Sequence, residues 1–192
     1  MSRPFRGFIV GVVVDVETTG LSPILHRVVS IAAIRVNFYE LVSSRGVHAD
    51  TFAALVNPRR KILASATEIH GITDYDVHDE DPFGAIAEKL RDFIGDDPII
   101  GHNVEFDKSF LSAELKRAKV QTLRRNRSFC TMQRLCALLR ARGVERHRIS
   151  LPDACEEFSI PFYAPTQHDA MEDAKATLQL AGAIYKIDNS WA

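Results

Sequence analysis

Val12-Val13-Val14-Asp15-Val16-Glu17-Thr18-Thr19-Gly20 is the stretch on which the reading of this chain turns. A β-branched apolar run is the pattern of a buried strand, and this one climbs directly into two carboxylates. Alternate strand residues face the same way, so Asp15 and Glu17 are expected to be neighbours. Two like charges about 4 Å apart repel by roughly 4 kcal/mol at an effective dielectric near 20, so bringing them together calls for protons or cations. Cations are the favoured answer. The plainer alternative is a pair of solvated acids in a loop after the strand has ended.

Working outward, the 192 residues carry 46% hydrophobic side chains, enough for one compact domain with its core over about residues 8 to 187. A net charge of -1 argues against a uniformly basic coat. The charge is uneven, however: acids dominate from Glu68 to Asp97 and bases from Lys116 to Arg148. Cys130, Cys136 and Cys155 form no C-x-x-C pair, and an odd count without a secretory signal suits core fillers in a reducing, cytoplasmic setting. No apolar run reaches bilayer-spanning length, so no membrane is expected.

Strands are expected over residues 8 to 14, 28 to 36 and 51 to 56, joined as an antiparallel meander by turns at Thr18 to Pro23 and Ser43 to Gly46. Residues 64 to 79 read as helical turns and loop. Asp81-Pro82 reads as a cap and first position for a helix to residue 94, with Phe83, Ile86, Ala87, Leu90 and Ile94 on its apolar stripe. A short strand from Pro98 leads through Asn103, a cap-type residue, into a helix to about 118. Phe129 to Thr131 reads as a brief strand, and helices follow over 132 to 142, 150 to 158 and 169 to 187. The alternation implies an α/β fold, a mixed sheet with helices on both faces.

Beyond Asp15 and Glu17, Asp107 opens a helix after a buried strand, where open α/β sheets gather ligands. Asp173 follows His168 by five residues, about 140° on an ideal helix, so both can meet one site only if His168 lies in the preceding loop. Convergence of four acids would present hard oxygen ligands matched to two divalent ions, Mg²⁺ or Mn²⁺, rather than to zinc. Two such ions can hold the attacking and leaving oxygens of a phosphodiester displacement.

Asp15-x-Glu17-Thr18-Thr19-Gly20, His102-Asn103-x-x-Phe106-Asp107 and His168-x-x-x-x-Asp173 together resemble the three motifs of the DEDDh 3'-5' exonucleases, the family of the proofreading epsilon subunit of bacterial DNA polymerase III. Ile69-His70-Gly71-Ile72-Thr73 resembles a further segment of that family, so the resemblance runs from about Val10 to Tyr185. It implies a ribonuclease H-like (RNase H-like) fold with a five-stranded mixed sheet. It also implies that Asp15, Glu17, Asp107 and Asp173 bind two metal ions, with His168 as general base. Thr18, Thr19, Leu21, Ile69, His70, Asn103 and Phe106 would then lie where 3'-terminal nucleotides bind or the site is braced. The other histidines, His26, His48, His78, His102 and His147, are read as structural or solvated.

One departure is visible. Val29-Ser30-Ile31-Ala32-Ala33 stands where the family often has Ile-Glu-Ile-Gly-Ala. The expected activity is release of nucleoside 5'-monophosphates from single-stranded or frayed DNA 3' ends. The rivals are an RNA 3'-end trimmer and a non-catalytic nucleic-acid-binding module. A polymerase partner is possible, though no tail like those that tether some relatives is visible. Arg124, Arg125, Arg127, Arg134, Arg140, Arg142, Arg146 and Arg148 either track phosphates or form a solvated face.

Overall fold

The computed structural model describes residues 9–43, 49–162 and 169–189. Five strands form one mixed sheet in the order β3-β2-β1-β4-β5. They are β1 (Val10–Thr18), β2 (Val28–Asn37), β3 (Asp50–Leu55), β4 (Ile99–Gly101) and β5 (Ser128–Cys130). The first three pair antiparallel and the last two add in parallel, β4 alongside β1. Seven α-helices accompany them among the described residues, α1 (Phe38–Val42), α2 (Ala64–His70), α3 (Phe83–Ile94), α4 (Val104–Arg117), α5 (Thr131–Ala141), α6 (Leu151–Glu157) and α7 (Ala170–Asn189), with a 3-10 turn at Leu123–Arg125.

The period-2 pattern of β1 sorts its residues onto the two faces. Val12, Val14 and Val16, with Ile31, Ala33 and Ile99, pack under Leu90 and Ile94 of α3 and Phe110, Leu111 and Leu115 of α4. Val13, with Ala32, Ile34, Ile100 and Phe129, packs under Leu135 and Leu139 of α5, Ala154 of α6 and Ala174, Ala181 and Ile184 of α7. Asp15 and Glu17 share the parity of Val13, so both lie on the face that α7 covers. Cys130, Cys136 and Cys155 are free and buried, as core fillers should be.

Several expectations need correction. β1 runs on to Thr18, because β2 pairs with it throughout, so the acids stand within the strand and not after it. Residues 38–42, read as part of a meander, form a helix. The Asn37 side chain accepts from Tyr39 N–H at 3.0 Å and Glu40 N–H at 3.3 Å, an N-cap that the reading passed over. The helical turns and loop read over residues 64 to 79 are, in the structure, the two-turn α2, closed by Gly71 in the left-handed conformation, φ 73°, followed by turns. Asp81 does not cap α3. Pro82 holds the cap position, and the Asp81 carbonyl accepts from Asn57 N–H at 3.0 Å instead. The turn proposed at Ser43 to Gly46 falls mostly outside the described residues.

Candidate active site

β1 and β4 run in parallel with Val12 opposite Ile99 and Val13 opposite Ile100, but β4 ends at Gly101. The Val12 N–H bonds to Pro98 O at 2.9 Å, so the even-numbered N–H groups of β1 point toward β4. Two residue pairs farther on, Val16 N–H has outrun its partner strand. Asp107, in the first turn of α4, supplies the missing acceptor: Val16 N–H donates to Asp107 Oδ1 at 3.1 Å across 91 residues. The same carboxylate is thereby brought to the end of β1 that carries Asp15 and Glu17.

From the other face comes α7. Carboxylate oxygens of Asp15, Glu17 and Asp173 all lie within 4.8 Å of one another, with Glu17 and Asp173 buried and Asp15 partly so. Burial, then the charges of Asp107, Asp173, Glu17 and Asp169, raise the Asp15 carboxyl well above its ordinary range. Glu17 is pushed up to about 8 by burial first and then by Asp173, Asp107 and Asp169. Asp107 is likewise pushed up to about 8, chiefly by burial, although N–H bonds from its own backbone and from Val16 pull the other way. The four motif acids therefore form one anionic cluster that cannot ionise fully at neutral pH without cations. An all-oxygen donor set of this kind fits hard divalent ions.

A fifth acid belongs to the cluster's field and was missed. Asp169 caps α7, its Oδ1 accepting from Met171 N–H at 2.9 Å and Glu172 N–H at 3.0 Å, while its charge acts on Asp15 and Glu17. An Asp at the start of a periodic helix reads as an ordinary cap, and the signal ended there. His168, placed next to it by the motif, lies outside the described residues.

The turn after β1 is stitched from several sides. A register shift between Glu17 and Thr18 ends the regular pairing with β2. Thr18 donates its hydroxyl to Gly20 O at 2.8 Å. The buried Thr19 hydroxyl accepts from Arg27 N–H at 3.1 Å and sits 3.2 Å from His26 Nδ1. A Cβ at Gly20 would fall 2.6 Å from that imidazole ring, so the glycine makes room for it. His70 is buried at the end of α2 with both ring nitrogens engaged. Ile72 N–H donates to Nδ1 at 3.1 Å, which leaves Nε2–H to donate to Thr18 O at 3.2 Å. Leu21 is 80% and Ile69 50% exposed, apolar residues flanking the same end of β1.

Asn103 has φ 77° and makes no side-chain cap bond to α4. Its residue type serves the left-handed backbone rather than a cap. Phe106 lies 4.9 Å from Phe110, ring centre to ring centre, and is partly buried. His102 is structural, as read: Nε2–H donates to Ile149 O at 2.9 Å and Nδ1 faces the Thr131 hydroxyl at 3.0 Å. Ser30 stands opposite Glu17 and Ala32 opposite Asp15, so the departure from the family pattern puts serine in place of glutamate across the ladder from Glu17 and a methyl group across from Asp15.

A second network was also missed. Glu114, 1% exposed on α4, receives Arg27 Nε at 2.6 Å and Nη2 at 2.8 Å, Val28 N–H at 3.3 Å, and Arg117 Nη1 at 3.3 Å. It ties the far end of the β1–β2 loop to the helix that carries Asp107.

Residues 12–181 match the RNase_T family of exonucleases. The DNA polymerase III epsilon subunit of Rickettsia typhi is 34% identical over 180 residues, covering 90% of this chain and 72% of the relative. The PolC-type DNA polymerase III of Bacillus subtilis is 33% identical over 170 residues, 88% of this chain but only 11% of that polymerase. A crystal structure of E. coli exonuclease I in complex with a dA16 oligonucleotide superposes with a TM-score of 0.73 at 23% identity, over 94% of this chain and 41% of that one. That likeness shows a ribonuclease H-like fold. Among the described residues no helix is long and apolar enough to cross a membrane.

Proposed function

The chain belongs to the RNase_T exonuclease family, and from that premise we propose that it removes nucleoside 5'-monophosphates from the 3' end of single-stranded or frayed DNA. The observation that carries the reading is the convergence of Asp15, Glu17, Asp107 and Asp173 on one end of β1, with Glu17 and Asp107 pushed up to about 8. These four would hold two divalent ions, Mg²⁺ or Mn²⁺, which when bound supply positive charge to the attacking and leaving oxygens.

The protein's own residues do the rest. His168, ahead of the Asp169 cap, takes the proton from the attacking water; a neutral imidazole with a reference pKa near 6.5 suits that task. Leu21 and Ile69 offer apolar surface to the terminal bases. The Asn103 amide, free of helix capping, donates to the terminal nucleotide, and Phe106 packs beside it. His70, Thr18 and Thr19 hold the β1 turn in shape. Residues 8 to 187 act as a single exonuclease module, and the epsilon-type relatives make a polymerase partner and a cytoplasmic setting the natural expectation.

The test is a time course on 3'- and 5'-labelled DNA and RNA oligonucleotides of matched sequence, with Mg²⁺, Mn²⁺ or chelator. Stepwise loss from the 3' end, dependent on the metal and faster on DNA, is expected. Faster trimming of RNA would reassign the substrate. His168→Ala should lose roughly 10² to 10⁴-fold in rate; wild-type speed in that variant would remove the base assignment.

A further inference from the structure

Eight arginines between 124 and 148 read alike in sequence, but the fold separates them. Arg124, Arg125 and Arg127 precede β5 at the end of the sheet remote from the acids, where Ile99 N–H bonds to Arg127 O at 2.8 Å. Arg134 is held in an ion pair with the buried Asp188 of α7. The remaining four lie on the last turn of α5 and the connection to α6. Arg140, Arg142, Arg146 and Arg148 are all exposed, with Glu145 the only acid among them. Among the described residues none of the four side chains makes a hydrogen bond or ion pair, in contrast to Arg27, Arg35, Arg91, Arg117 and Arg134.

The connection is pinned to the catalytic edge. Ile149 O accepts from His102, which follows β4 directly and in the parallel register stands level with Asp15, one strand over. Thr131, the partner of the other His102 nitrogen, follows β5, so the anchor lies roughly two strand spacings, about 10 Å, from the acids. Arg148 lies close enough to His102 for its charge to oppose protonation there. Arg140 and Arg146 both act on Cys136, about 8 Å farther along α5 than Thr131. Arg148 thus lies beside the catalytic edge, and Arg140 and Arg146 lie farther from it, toward Cys136 of α5.

We propose that the connection from Arg140 to Ile149 is a phosphate-binding arm, gripping the sugar–phosphate backbone of the strand whose 3' end occupies the acid cluster. The inference rests on the exonuclease reading and adds a second anchor to it. Unpaired, exposed guanidiniums grouped on one connection suit successive phosphates, and each phosphate neutralised releases counterions. The arm carries no base readout, so it contributes affinity and processivity without sequence preference.

The full chain and an Arg142→Gln/Arg146→Gln/Arg148→Gln variant are compared on a dT20 oligonucleotide and on the p-nitrophenyl ester of thymidine 5'-monophosphate, which is too short to reach the arm. With about 0.7 of salt slope per phosphate contact, the variant's plot of log kcat/KM against log salt on dT20 should be shallower by about 2. Over a fourfold rise in salt the wild type then loses roughly 20-fold more than the variant. KM for dT20 should rise relative to that for the ester. Glu145→Lys should steepen the slope. Equal slopes for wild type and triple variant, or equal losses on both substrates, overturn the arm while leaving the exonuclease reading intact. A wild type that releases nucleotide from neither substrate overturns the exonuclease reading itself.

Discussion

Raising the pH should weaken the fold when divalent ions are withheld and not when they are supplied. In the unfolded chain Glu17 titrates near 4.5 and Asp107 near 3.8, whereas in the folded chain both are held near 8. Between those limits the native state keeps protons that the unfolded state has released. The contribution of these carboxyls is therefore fully present below about pH 4 and is lost as the pH climbs through 8. A shift from 4.5 to about 8 on one carboxyl corresponds to roughly 5 kcal/mol. The acids share one field, so their separate shifts do not add, and about 5 kcal/mol is taken for the cluster. Between pH 5 and pH 8 roughly 3 to 4 kcal/mol of this is lost, so at 2 to 4 °C per kcal/mol for a chain of this size Tm in chelator should fall by about 7 to 14 °C. Excess Mg²⁺ or Mn²⁺ should restore most of the loss at pH 8 and little at pH 5, since the ions compete with the same protons. Thermal melts followed by circular dichroism, with and without chelator, measure this directly. A chelated chain as stable at pH 8 as at pH 5, or one indifferent to the ions, would refute the reasoning.

Three substitutions extend the test. Asp15→Asn removes one charge from the cluster, so in chelator at pH 8 it should raise Tm by several degrees while abolishing nucleotide release; a lower Tm would show that repulsion is not what Asp15 contributes. His70→Ala leaves Thr18 O and Ile72 N–H without their ring partners and should cost about 2 to 4 kcal/mol in denaturant unfolding, with a loss under 0.5 kcal/mol arguing against the brace. Glu114→Gln strips the charge that Arg27 and Arg117 share on a buried site and should cost about 3 kcal/mol, readable as a lower urea midpoint at unchanged m-value.

The acids themselves were legible in the sequence because their surroundings are local. Asp15 and Glu17 end a β-branched run, Asp107 opens a helix after a short apolar strand, and Asp173 lies in a helix with a clear apolar stripe. The strands were legible as short apolar or β-branched runs, and the longer helices by the period of 3.6 that burial imprints on neighbouring residues. The five-residue helix at Phe38 escaped because it is too short to show a period, although Asn37 and Glu40 carry its cap.

What tertiary structure decided lies between residues far apart in the chain. That β4 stops at Gly101, so that Val16 N–H outruns it and takes Asp107 as its acceptor, depends on where a ladder ends rather than on any residue's type. The charge of Asp169 joins the cluster, and Glu114 fastens the loop after β1 to α4, only once α7 and α4 close on opposite faces of the sheet. The arginines from 124 to 148 look equivalent until strand order carries three to the far edge, one into a pair with Asp188 and four out beyond His102. Local pattern records which side of an element is buried; register and packing decide which charges then face each other, because Coulomb energy depends on distance in space and not along the chain.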